Sequence, residues 1–414
     1  MPDTSREYAL ALDARDPLAG LRKRFRLPEG VVYLDGNSLG ALPDDVPGTL
    51  DDVVRNQWGV DLIRSRNAHD WWNAPTRVGA AIAPIIGAAP DEVVCGDSTS
   101  VQLFNAMVAA LRLRPGRSVI LADPDTFPTD GYLADSVARL CGATVRRVPA
   151  AEVAEVLRAE GTGVAVAAYN HVDYRTGELR DLAAITRAAH DAGALVLWDV
   201  CHTAGAVPVD ADAHDLDFVV GCSYKYLSGG PGAPAFLYVA RRLHGGFDPA
   251  LTGWHGHAEP FAMEPGYRPA DGVARARIGS PPLLNMLALE AAIGVFRETD
   301  MAAIRAKSLA LTDLFIACVD ALPADAGLEV VTPRAHERRG SQVAVRHDEA
   351  HPIMAALIDR GVIGDVRPPD ILRFGFNALY VSYTDVVDAA AALGDIVATG
   401  AYRDAKYAVR ATVT

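Results

Sequence analysis

Between about residues 90 and 240, short apolar runs alternate with helix-like stretches, and few folds accommodate that rhythm. Val119–Ala122, Val164–Tyr169, Ala194–Asp199 and Phe218–Cys222 read as strands, and Ala235–Val239 follows a glycine-rich turn. Asp181–Ala192 reads as a helix ended by Gly193, and Ala138–Val148 as a helix end passing through Gly142 into a strand. Strand, helix, strand in succession predicts an α/β domain on a mainly parallel sheet covered on both faces. The C-terminal third has a slower rhythm. Helical patterns span Pro282–Arg297, Met301–Ala321 and Pro352–Arg360, with strand candidates at Gln342–Arg346 and Arg373–Phe376. Thr384 is placed to cap a last helix through Leu393. These elements predict a smaller α+β domain of residues 285–414 joined by residues 1–50, with residues 51–284 forming the large domain.

The net charge of −13 argues against a nucleic-acid or anionic-membrane partner. The N-terminus carries no apolar stretch of signal-peptide length, and no run reaches the ~18 residues of a membrane span. The five cysteines are scattered, odd in number and free of any CxxC pair, which suits free thiols in a reducing cytoplasm.

Four segments carry chemistry. Lys225 follows the apolar run Phe218–Cys222, and burial disfavours the charged form of an amine. A neutral amine forms Schiff bases with aldehydes; a lysine that has simply left the strand for solvent is the plainer alternative. Asp199 closes the run Ala194–Trp198, at the carboxyl edge where open α/β sheets bind ligands. An anion there suits the pyridine nitrogen of pyridoxal 5′-phosphate (PLP), whose protonated ring is an electron sink. His202, three residues on, is placed to bond a cofactor or fix the carboxylate. Taken singly, Asp199 is equally a helix cap and His202 a core histidine. Asp97-Ser98-Thr99-Ser100 precedes a helix-like stretch, and such hydroxyls cap a helix or bind an anion such as a phosphate. Phe127 follows the strand Val119–Ala122 and is either core or a stacking partner for a flat ring. The order phosphate cap, aromatic ring, strand-end Asp, then Lys points to PLP. No GxGxxG follows a strand, there is no P-loop and no GxSxG elbow, and His255-Gly256-His257 alone makes no metal site.

At this level of detail the chain resembles the kynureninases, fold-type-I PLP enzymes of the aspartate aminotransferase superfamily. The likeness runs nearly the whole length. It is carried by Tyr33–Gly40 (YLDGNSLG), Phe127–Asp130 (FPTD), Tyr174–Gly177 (YRTG), Trp198–His202 (WDVCH), Cys222–Leu227 (CSYKYL), Gly253–His257 (GWHGH) and Leu372–Phe374 (LRF). The resemblance implies that Lys225 holds PLP and moves protons, with Asp199 and Tyr224 completing the catalytic set. Asp199 would meet the pyridine nitrogen, with Asp130 and His202 beside the ring and Phe127 stacked on it. Thr99, Ser100 and Tyr224 would bind the phosphate, joined by Trp254 and Ser280 from the second subunit of a homodimer. Arg373 would take the substrate α-carboxylate as a bidentate fork, and Ser38, Arg66 and His255 would line the substrate site. The implied reaction is hydrolysis of the Cβ–Cγ bond of kynurenine to alanine and an anthranilate.

Three positions depart from the family's pattern. Arg66 stands where bacterial relatives usually carry Trp, Ser280 where Thr or Asn is usual, and His255 where an aromatic is usual. The cofactor machinery matches while the ring-recognising surface differs, which opens the way to a ring-substituted kynurenine. The rival within enzymes is another fold-type-I PLP activity, a β-lyase, desulfurase or aminotransferase. A desulfurase needs a loop cysteine, and no Cys lies between Cys222 and Cys318. The rival outside enzymes is a PLP-dependent sensor, which needs a basic DNA-binding domain that this acidic chain does not present.

Overall fold

The computed structural model describes residues 3–409. Seven strands form the main sheet: β1 Val93–Cys95, β2 Val119–Ala122, β3 Thr144–Arg147, β4 Val164–Asn170, β5 Leu195–Asp199, β6 Phe218–Gly221 and β7 Phe236–Val239. Their order is β1-β7-β6-β5-β4-β2-β3. The neighbours from β6 through β3 are parallel, and β7 pairs antiparallel with both β6 and β1. Two antiparallel pairings leave β1 parallel to β6, so β7 is the one reversed strand. Every residue of β4, β5, β6 and β7 is buried, as continuous apolar strands covered by helices on both faces should be.

A second, four-stranded antiparallel sheet pairs Glu329–Val330, Gln342–Arg346, Ile371–Gly375 and Asp365–Arg367 in that order. It packs with helices Met301–Asp320, Ala350–Asp359 and Tyr383–Thr399 around its own apolar core. Ala9, Leu18, Leu21, Phe25, Leu34 and Ala41 of the N-terminal segment join that core rather than the larger one. Val32–Tyr33 pairs in parallel with Val362–Ile363, which explains why so irregular a segment is ordered.

Several boundaries move. The expected helix Pro282–Arg297 is α-helical only over Leu283–Ala292 and tightens to 3₁₀ over Ile293–Glu298. The last helix is capped by Ser382, not Thr384, through a capping box with Asp385, and it runs to Thr399 rather than Leu393. Among the described residues no helix is long and apolar enough to cross a membrane.

Candidate functional site

Five parallel strands deliver their next residues to one cavity of ≈ 190 Å³. Thr99 and Ser100 come after β1, Phe127 and Asp130 after β2, Asn170 from the end of β4, Asp199, Cys201 and His202 from β5, and Tyr224 and Lys225 after β6. This is the carboxyl edge of the sheet, where helix starts and loops converge. Thr99 and Ser100 open the helix Thr99–Leu113, whose cap is the preceding Ser98. Phe127 precedes Pro128, the first residue of the next helix, and meets Tyr174 edge-on at 5.2 Å. Lys225 is half-buried, with Nζ 5.8 Å from the Tyr224 ring centroid.

Asn170 ties the cavity floor together. Its Nδ2 donates to Asp130 Oδ2 and to Asp199 Oδ2, both at 2.7 Å. Its Oδ1 accepts from the Thr126 hydroxyl and from the Phe127 amide, so one side chain orients two carboxylates and the turn bearing the aromatic ring. Asp199 Oδ1 accepts from the Cys201 amide at 2.7 Å. Burial and then the charge of Asp199 push the Asp130 carboxyl well above the usual range, which favours its protonated form. His202 Nδ1 lies 2.9 Å from Gln342 Oε1, while burial and the charges of Lys225 and Arg373 hold the ring neutral. A neutral ring donating from Nδ1 presents Nε2 as an acceptor. The Cys222 side chain and burial push the Tyr224 phenol up, so it stays protonated and able to donate.

The remaining candidates sit elsewhere. Arg373 is fully buried beside the cavity, not lining it. It donates from Nε to Asp365 Oδ1 (2.7 Å), from Nη2 to Asp365 Oδ2 and the Ser38 hydroxyl, and from Nη1 to the Tyr174 carbonyl (2.6 Å). Trp254 and His255 pack on Trp72 and Arg66 lies over Trp254, and none of the three lines this chain's cavity. Trp72 packs at 5.1 Å from Trp254 and 4.2 Å from His255, and the Arg66 guanidinium lies 5.9 Å from the Trp254 ring. His255 is buried, with its ring nitrogens 3.2 and 3.0 Å from the Gly279 and Trp72 carbonyls. Ser280 lines a separate small cavity with His255 and Arg277.

The sequence reading did not single out Asn170, Gln342 or Asp365. Nor did it find why Gly40 is glycine: a Cβ there would stand 2.3 Å from the Lys225 carbonyl oxygen, and the Gly40 amide donates to the Tyr224 carbonyl at 2.8 Å. The N-terminal turn is thus clamped directly onto the lysine loop. The hydroxyls, aromatic ring, carboxylate and amine of the cavity match, in kind, the phosphate, ring, pyridine nitrogen and aldehyde of PLP. Among the described residues, no three His, Cys, Asp or Glu side chains are grouped to hold a metal.

Comparison with known proteins agrees with this geometry. A family model described as the kynureninase C-terminal domain matches residues 304–393. A kynureninase of Deinococcus radiodurans is 51% identical over 393 residues, spanning 94% of this chain and 95% of its own. One from Burkholderia mallei is 47% identical over 414 residues, spanning 99% and 100%. Among solved structures, C-DES with a lysine-to-alanine change and glycine covalently linked to its PLP cofactor superposes with a TM-score of 0.78 at 18% identity, over 90% of this chain and 99% of that one. That likeness identifies the fold as that of fold-type-I enzymes, and identity near one half over essentially the full length settles the narrower question: the chain belongs to the kynureninase family.

Proposed function

We propose that the protein is a PLP-dependent hydrolase that cleaves the Cβ–Cγ bond of L-kynurenine or a ring-substituted kynurenine, releasing L-alanine and an anthranilate. The observation that carries this reading is the convergence of Thr99, Ser100, Phe127, Asp199 and Lys225 on one cavity in a chain of this family. PLP supplies an electron sink for the bond changes at the substrate α-carbon. Lys225 is the amine that holds the cofactor and moves the α-proton. Asp199, fixed by Asn170 and the Cys201 amide, would pair with the pyridine nitrogen of the bound cofactor, with Asp130 and His202 beside the ring. Thr99, Ser100 and Tyr224 bind the phosphate, and Arg373 orients the α-carboxylate. Tyr224 would also supply the proton to the substrate β-carbon once its bond to the γ-carbon is broken and the anthranilate departs. The enzyme's share of the work is chiefly orientation and proton delivery. Incubation of the purified protein with kynurenine and 3-hydroxykynurenine tests this, with alanine and the matching anthranilate sought by mass spectrometry. Neither product from either substrate would leave the reading without support.

A homodimer with shared sites completes the reading. Trp254 and Ser280 do not reach the cavity of their own chain, and Trp58, Val60, Leu62, Ile63, Phe261 and Met263 are exposed apolar side chains. An apolar surface of that kind suits an obligate interface. Sedimentation at assay concentration should therefore find a dimer, and an active monomer would defeat the arrangement.

Arg66 bears on the substrate. It is half-buried against Trp254 instead of free in solvent, so in the dimer it stands beside a cofactor contact. If its charge meets a ring substituent, Arg66→Trp should shift the kcat/KM ratio toward unsubstituted kynurenine by about one to two orders of magnitude, the worth of a charged hydrogen bond. Equal ratios in wild type and variant would return the question to Ser280 and His255.

A further inference from the structure

Behind the guanidinium of Arg373 lies a second cluster of charge that the reaction as described does not use. Asp365 is buried and well partnered: its oxygens accept from Arg373 twice and from the Ser38 hydroxyl at 3.0 Å, and Arg367 Nη2 forms an ion pair with it at 2.7 Å. It occupies the Nε edge of Arg373. Nη1 has the Tyr174 carbonyl as its one hydrogen-bond partner among the described residues, and Tyr174 lines the cavity. Asp35 stands beside Asp365 in the turn Asp35–Gly40 and is bridged through its backbone to Gly375. Asp35 Oδ1 is buried with no hydrogen-bond partner among the described residues.

Two carboxylates and two guanidiniums balance when all are ionised. An α-carboxylate docking on Arg373 adds a negative charge to a site shut off from water, where uncompensated charge is costly. The geometry points to Asp35 as the group that restores the balance: it takes up one proton from solvent when an anionic α-carboxylate docks on Arg373, while Asp365 fixes the edge of the guanidinium that the substrate meets. The inference rests on the reading of Arg373 as the carboxylate fork. A proton on Asp365 would compete with its three donated hydrogen bonds and its Arg367 ion pair, whereas Asp35 Oδ1 has no bond to lose. Burial and the charge of Asp365 push the Asp35 carboxyl up to about 7, against the opposing pull of Ser38, Arg373 and Arg367. The titratable and charged groups that face it are Asp365 and Arg367 from one strand, Arg373 from the next, and the phenols of Tyr33, Tyr226 and Tyr380.

The sign follows. Below about pH 7 Asp35 already carries its proton and the carboxylate docks freely. As pH rises through that value, docking must draw a proton from solution, so affinity falls, at most about tenfold per pH unit.

The test uses the holoenzyme and two probes, L-2-amino-4-phenylbutanoate, which lacks the γ-carbonyl and cannot be cleaved, and 3-phenylpropylamine, the same molecule without the carboxylate. Calorimetry in buffers of different ionisation enthalpy counts protons for each, and proton release at the shared amine cancels in the difference. Just above neutral pH the acid should take up more protons than the amine, by a large fraction of one. The difference should vanish in Asp35→Asn while the acid still binds. No difference in the wild type, or an equal one in Asp35→Asn, overturns the inference. Should Asp35→Asn not fold, the wild-type affinity ratio of acid to amine decides: it must fall above pH 7, and a flat ratio overturns the inference. Arg373→Ala tests the underlying reading separately. It should abolish the preference for the acid, and a preserved preference removes Arg373 as the fork.

Discussion

Lys225→Ala should yield a folded protein that has lost its yellow colour and at least about three orders of magnitude in turnover, the scale seen when a covalent catalytic group is removed. The lysine lies beyond the end of β6 in a loop held by others: the Gly40 amide on the Tyr224 carbonyl, the Ser228 amide on the Lys225 carbonyl and the Ser223 hydroxyl on the Pro234 carbonyl. None of these uses the lysine side chain, which is half-buried and not part of either apolar core. Stability should therefore stay within about 1 kcal/mol of wild type, as for a substitution that opens no core cavity. Thermal unfolding of both proteins checks the first half. The second half is checked by borohydride reduction of the wild type and peptide mapping. A phosphopyridoxyl group on any lysine other than Lys225 would overturn the central assignment, as would turnover surviving in the variant.

The main sheet was legible because its central strands are buried on both faces. Runs such as Ala194–Asp199 have no polar alternation to confuse with a surface strand, and the glycines at 142 and 193 mark helix ends with φ of 66° and 74°. The strand-end chemistry was legible for the same reason: an Asp after Leu-Val-Leu-Trp has one place to go. Asn170 and Gln342 left no such mark. Each ends or begins an ordinary apolar strand, and their importance lies in partners 29 to 140 residues away, Asp199 for one and His202 for the other. Asp35 and Asp365 were hidden by the same distance, since they become a pair only when the parallel pairing of Val32–Tyr33 with Val362–Ile363 brings the turn beside the small sheet. Trp254 and His255 were assigned by family likeness alone. Their packing on Trp72 has a local signal in the Trp71-Trp72 doublet that the spacing of the other motifs did not draw out.

Asn170→Leu should weaken PLP retention by one to two orders of magnitude or more, and the deficit should be largest at low pH. Leucine keeps the size of the side chain and removes its donors, so Asp130 Oδ2 and Asp199 Oδ2 each lose a 2.7 Å hydrogen bond inside a buried site. Leaving a buried group unpaired costs about 1–3 kcal/mol, and more when it is charged. A carboxylate pair stripped of its shared donor takes up protons more readily, which relieves part of that cost at low pH at the expense of the anion the pyridine nitrogen needs. At high pH the anion is restored, and the deficit narrows to what the lost hydrogen bonds themselves cost. The Thr126 hydroxyl and the Phe127 amide also lose their acceptor, so the turn carrying the stacking ring should loosen. Asn170→Ser retains one donor and should fall between the two. Absorbance titrations of apoenzyme with PLP across pH measure this directly. If Asn170→Leu binds PLP as tightly as wild type, or with a deficit that does not change with pH, Asn170 is only packing between the two carboxylates, and the orientation of Asp199 must come from the Cys201 amide alone.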